Sequence, residues 1–203
     1  MALANYSDLS AAISMWLNRS DLEATYPTFI ALFETRANRA LRVPQMEVQS
    51  TATATSNALA LPSDFISARE VRLSEKHLVA LSPHEMRDTN VHYTSGNPVG
   101  YSIVDQALIF APPISDTETV YLTYYASIPA LTSTETTNWL MTAFPDAYLY
   151  GVLAVVYDYL RDGDQAASML DLSDRIFGEI MADAIRRRVP AGPLIARNHI
   201  YNG

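Results

Sequence analysis

Apolar side chains recur at helical spacing toward both ends of the chain and alternate with polar ones in its middle. Ser7 reads as an N-cap, and Leu9, Ile13, Trp16 and Leu17 then fall at i, i+4, i+7 and i+8 on one face of a short helix that stops near Asn18. Ser20-Asp21-Leu22-Glu23 has the capping-box pattern, and Pro27 suits the first turn of a second helix. That helix runs to Arg42 and ends before Pro44. Its apolar face is Ile30, Phe33, Ala37 and Ala40 or Leu41, with Arg36, Arg39 and Arg42 along another side.

From about residue 46 the texture changes to short alternating runs separated by turn residues, which predicts strands over 47–55, 58–61, 68–73, 78–81, 100–104, 107–111 and 119–126. Asp105-Gln106 marks a hairpin, Gly96-Asn97-Pro98 a loop, and 82–88 one helical turn. The last strand alternates Val120, Leu122 and Tyr124 with Tyr121, Thr123 and Tyr125. Bulky groups on both sides predict a strand covered on both faces.

Helical spacing returns after a Thr/Ser-rich connection. Residues 138–143 form a short turn, and 145–160, PDAYLYGVLAVVYDYL, a helix that is apolar nearly all the way round, so it needs partners on several sides. The run is broken by Asp158 and is shorter than the roughly 20 residues that cross a bilayer, so those partners are protein and no membrane is implied. Gly151, in mid-helix, predicts a close approach by another backbone. Asp164 reads as the cap of a last helix to Arg188, with Ala166, Met169, Leu170, Ser173, Ile176, Phe177, Ile180 and Ala184 as its inner stripe. Beyond it, 189–203 contains Pro190, Gly192 and Pro193 and cannot extend the helix. Its apolar Leu194, Ile195, Ile200 and Tyr201 suit anchors, for the protein's own body or for a partner groove; a frayed terminus is the alternative.

The expected fold class is therefore α+β: an antiparallel helical bundle built from N- and C-terminal helices, with a β-rich insertion, sandwich or small barrel-like, in the middle. The division is 1–45 and 131–188 for the bundle, 46–130 for the insertion and 189–203 for an extended arm.

Composition narrows the chemistry. The chain has 203 residues, 49% of them hydrophobic and 18% charged, enough for a substantial core. There is no cysteine, which removes disulfides and thiolate catalysis. Residues 1–8 hold neither a basic cluster nor an apolar core, so synthesis and folding in the cytoplasm are expected. A formal net charge of −8 argues against broad phosphate neutralisation, hence against tight DNA binding. Lys76 is the only lysine; the other basic residues are arginines, which favour bidentate pairing at protein interfaces, although an arginine-rich genome accounts for the same skew. With the tyrosines clustered in the last strand and the apolar helix, this makes Arg36, Arg39, Arg42, Tyr124 and Tyr125 candidates for a subunit interface.

No catalytic signature emerges. His77, His84, His92 and His199 lack metal-ligand spacing, and there is no nucleophile elbow, phosphate loop or dinucleotide fingerprint. Asp162/Asp164 and Asp171/Asp174 lie where helix caps and solvated charge explain them. The expectation is no enzyme, no catalytic residue, no metal and no cofactor. A small-molecule enzyme on the β-rich middle is the alternative, and it requires a deep pocket with convergent polar groups.

Tyr6-Ser7-Asp8-Leu9 through Trp16-Leu17-Asn18-Arg19, Phe29-Ile30, Glu34-x-Arg36-x-Asn38-Arg39-x-Leu41-Arg42, Leu61-Pro62-x-Asp64-Phe65, Pro98-x-x-Tyr101, Tyr124-Tyr125-x-x-Ile128-Pro129-x-Leu131 and Pro145-Asp146-x-Tyr148-Leu149-Tyr150-Gly151 follow one another in an order that spans nearly the whole chain. In that order they resemble the head-to-tail adaptor, or connector, proteins of tailed bacteriophages, relatives of the tail tubular protein of short-tailed phages. The resemblance implies a virion protein at the capsid vertex, in a homo-oligomeric and usually twelve-fold ring. Such a ring joins the portal protein to a downstream tail or nozzle protein and leaves a channel for the genome, with no sequence-specific DNA binding. By position, it makes Arg186, Arg187, Arg188, Leu194, Ile195, Ile200 and Tyr201 the candidate portal contacts. Another tail-completion or minor structural protein of the virion is the alternative within the same class.

Overall fold

The computed structural model describes residues 3–92, 96–114 and 117–188. The fold is mixed α+β, with helices from both ends of the chain and a β-rich middle. Two compact units result: one takes the residues up to Pro44 together with those from Pro129 onward, the other is Gln45–Ile128.

The helical unit contains α1 (Tyr6–Leu17), α2 (Tyr26–Ala40), α4 (Trp139–Ala143), α5 (Pro145–Tyr159) and α6 (Gly163–Arg188). The α5 helix packs against all four others, as its all-round apolarity demands. Ala147, Tyr148, Leu149, Gly151, Val152, Leu153, Ala154 and Val156 are buried; Asp146 in the first turn is exposed, and the last turn emerges with Asp158 and Tyr159, the latter 59% exposed. Gly151 is closely packed, but by a side chain and not by a backbone: an added Cβ would overlap the ring of Phe33 on α2. Leu160, Arg161 and Asp162 turn the chain, Arg161 taking the left-handed conformation (φ 62°), and α6 packs back along α5.

Helix starts fall slightly away from the expected positions. Asn5, not Ser7, caps α1, its Oδ1 accepting from the Asp8 N–H at 3.0 Å. Asp162, not Asp164, caps α6, its carboxylate accepting from the Gln165 N–H at 3.3 Å. Ser20 makes no side-chain cap. Its carbonyl accepts from the Glu23 N–H, a 3-10 turn follows over Glu23–Thr25, and α2 begins at Tyr26 with proline in its first turn.

The middle unit is a sandwich. One sheet has the order β1 (Glu47–Ala54), β8 (Glu118–Ala126), β3 (Phe65–Leu73), β4 (Lys76–His77); the other has the order β2 (Ala58–Ala60), β7 (Ala107–Ala111), β6 (Gly100–Val104), β5 (Val79–Ala80). All pairs are antiparallel except β5 with β6. Residues of both sheets form one core, including Val71, Leu73, Val120, Leu122 and Tyr124 from the first and Tyr101, Leu108 and Phe110 from the second. The strand expected over 78–81 is the two-residue β5; another short strand, β4, precedes it, and the chain passes from one sheet to the other at the buried Leu78 between them. The β6–β7 hairpin turns at Asp105 and Gln106, both with positive φ (48° and 60°). The single turn expected at 82–88 is a full helix, α3 (Pro83–His92), beside β6 and β7.

The β8 strand departs from expectation most. It is buried on one face only, through Val120, Leu122, Tyr124 and Ala126. Tyr121 on the other face is 39% exposed and carries the Arg72 guanidinium over its ring at 5.2 Å. Tyrosine's amphipathic ring tolerates that half-wet side, so bulk did not mean burial.

Candidate interaction surfaces

A buried polar cluster sets the geometry of the helical unit. Glu34 lies on the apolar stripe of α2 and is 6% exposed. Its Oε1 accepts from the Leu131 backbone N–H at 2.7 Å and from the Tyr148 hydroxyl at 2.8 Å. Asn138 donates to the Tyr148 oxygen at 2.6 Å and to the Pro129 carbonyl at 2.7 Å, while its Oδ1 caps α4 by accepting from the Met141 N–H at 2.8 Å. Burial pushes the Glu34 carboxyl above its ordinary value, against the pull of its two donors. Burial first, and the Glu34 carboxylate second, push the Tyr148 phenol up, so it stays a donor. One carboxylate thus holds α2, α5 and the segment entering α4 together. Sequence reasoning passed over these groups; the signal was an acid at position 34 between Phe33 and Ala37 on an apolar stripe.

Each interface candidate has a definite place. Arg36 is ion-paired with Asp174, donates to the buried Ser173 hydroxyl at 3.3 Å, and lies 5.4 Å from the Phe177 ring centroid. It clamps α2 to α6. Arg42 turns its guanidinium onto the Asn38 and Leu41 carbonyls at the end of α2. Arg39 is exposed, with no ion pair among the described residues. Tyr124 is 3% exposed, its ring stacked on Phe65 and its hydroxyl donating to Asp64 at 2.9 Å, so it belongs to the sandwich core. Tyr125 is half-buried on the opposite face of β8.

At the end of α6, Phe144, Arg175, Glu179, Asp183, Arg186 and Arg187 border an open groove of about 760 Å³. Arg187 pairs with Asp183 at 2.7 Å and Arg175 with Asp171 at 3.0 Å. Arg186 has no acidic partner among the described residues, and the adjacent Ile185 is 63% exposed. Leu194, Ile195, Ile200 and Tyr201, with the rest of 189–203, lie outside the described residues.

Among the described residues the histidines do not converge: His77 faces Glu70 at 2.9 Å and His84 faces Asp88 at 3.2 Å. Among the described residues no group of three or more potential ligands is placed to hold a metal ion, and no helix is long and apolar enough to cross a membrane. The buried cluster around Glu34 and the Arg36 clamp use their polar groups structurally, to hold the helices of this unit together.

Comparison with protein families supplies the class. The model of the SU10 adaptor protein family matches residues 4–197, and the chain belongs to this family. It is a bacteriophage structural adaptor, a non-enzymatic component of the virion that bridges other virion components. Comparison with curated proteins gives no match.

Proposed function

We propose that copies of this chain form a ring, twelve-fold as in the connectors it resembles, at the capsid vertex. The ring links the portal to the tail or nozzle protein and encloses the channel through which the genome leaves. The observation that carries the reading is the end of α6, where an arginine with no acidic partner among the described residues and an exposed isoleucine sit together beside an open groove, immediately before the apolar stretch 189–203 of the sequence. Arg186, Arg187 and Arg188 with Leu194, Ile195, Ile200 and Tyr201 are the portal side of the adaptor in this reading. Of the subunit-interface candidates, Arg39 is the one that supports a contact between copies. Arg36 and Arg42 act within the helical unit, and Tyr124 within the sandwich.

Mixing the purified chain with the portal ring of the same phage tests this. A defined ring-on-ring complex is expected by electron microscopy, weakened by truncation after Arg188 and by Arg186→Glu. A portal that leaves the intact, folded chain unbound sinks the reading.

A further inference from the structure

The two sheets of the sandwich end differently. Three of their four terminal strands are very short: β2 has three residues, and β4 and β5 two each. The fourth, β1, is eight residues long and terminal in its sheet. Half of its backbone N–H and C=O groups point away from β8, because an antiparallel strand bonds its neighbour only at alternate residues. Natural sheets blunt such an edge with Lys, Pro, a bulge or shortness. None of these is present in β1. From Val48 to Ala54 it reads VQSTATA, without charge, proline or glycine. Its register with β8 runs unbroken from Glu47 to Ala54, whereas β3 carries two register shifts against the same strand. Gln49, Thr51 and Thr53 are exposed, and Val48 is 38% exposed.

We propose that this edge is a self-association site, at which β1 of one copy pairs antiparallel with β1 of a second copy and joins the two first sheets into one. The occupant follows from self-complementarity. Residues directly opposite in an antiparallel pair share a face, so the two-fold axis passes through Ser50 or through Thr51. Centred on Thr51, it sets Thr51 against Thr51, Gln49 against Thr53 and Ser50 against Ala52; centred on Ser50, it sets Gln49 against Thr51 and Val48 against Ala52. In either register the only charged residue, Glu47, meets a threonine and never its own copy. Its carboxylate is already paired with Arg69. Small hydroxyl side chains pack and hydrogen-bond well as cross-strand pairs. The β3 strand, which β4 covers only at Arg72 and Leu73, leaves a long edge too, but its two register shifts and the charged Arg69 and Glu70 deny it the regularity of β1.

The pairing is isologous and closes at two copies, so it builds no ring. It is a state of the free chain, independent of the ring proposed above. A single pair of strands buries little surface, which makes the dimer weak and concentration-dependent.

Sedimentation velocity of the full chain over a concentration series is the test, with hydrogen exchange read at β1. A reversible monomer–dimer equilibrium is expected, with protection of alternate β1 amides rising as the dimer fills. The Gln49→Lys/Thr51→Lys variant brings lysines face to face in both registers and is expected to weaken the dimer by about tenfold or more. Both side chains are exposed, so the fold is retained, which circular dichroism checks. Thr53→Lys alone meets Gln49 or Glu47 across the pair and is expected to leave the dimer within about threefold of wild type. A wild-type chain that stays monomeric throughout overturns the proposal, as does a dimer that the lysine pair leaves unchanged. Neither outcome touches portal binding, which the double variant retains if the ring reading holds.

Discussion

Glu34 shows how one buried carboxylate organises the helical unit. Two donors meet its Oε1, and among the described residues no cation pairs with it: the groups that act on its ionisation are the surrounding apolar matrix, the Leu131 N–H and the Tyr148 hydroxyl. Glu34→Ala leaves both donors buried and unpaired, and a loss of about 2–4 kcal/mol of unfolding free energy is expected by urea denaturation at neutral pH. Glu34→Gln keeps an acceptor oxygen and is expected to cost less. The two variants also separate by pH. A carboxyl whose folded-state value is raised binds its proton more tightly in the folded chain, so its contribution falls as pH rises from the ordinary glutamate value to the raised one. Wild type is therefore expected to lose stability relative to Glu34→Gln across that window and to run parallel with it above. Parallel curves throughout the window would show that the carboxyl titrates alike in folded and unfolded chains.

At the level of elements, α5 is where packing leaves least room. Phe33 fills the space that a side chain at position 151 would take. Its ring is itself held by Tyr148 at 4.9 Å and Phe177 at 6.0 Å between centroids, so it has nowhere to retreat. Gly151→Ala gains about 1 kcal/mol in helix propensity but overpacks the site by about 1–3 kcal/mol. A lower melting temperature than wild type is expected in calorimetry, partly restored by Phe33→Leu in the same chain; a raised one would mean that the ring yields. Much of this was legible in the sequence. Helical spacing outlined α2, α5 and α6, alternation outlined the strands, and the apolar circumference of α5 placed it at the centre. What was not legible turned on tertiary choices. Nothing local decides whether Asn5 or Ser7 caps a helix, whether a glycine accommodates a backbone or a phenylalanine, or that Tyr124 faces a core while Tyr125, its neighbour, does not. Likewise, that Arg36 meets Asp174, Ser173 and Phe177 depends on where α6 packs.

For the whole molecule, the decisive quantity is charge and how it is distributed. Arg19, Arg36, Arg69, Arg72, Arg175 and Arg187 each pair with an acid of the same chain, so much of the arginine charge is already matched. With acids in excess and a net charge of −8, the chain as a whole repels a phosphate backbone, over a range of about 8 Å at physiological salt. DNA binding that depends on releasing many counterions has little to drive it here. In fluorescence anisotropy, duplex DNA is therefore expected to show no saturable binding to the full chain at physiological salt, and none that strengthens steeply as salt is lowered. Affinity that rose steeply on dilution of salt would reveal a basic surface that these pairings hide, and would count against the DNA channel proposed above. Repulsion of this range acts only on DNA close to the protein, so in a channel it favours passage without requiring any side chain to recognise a base.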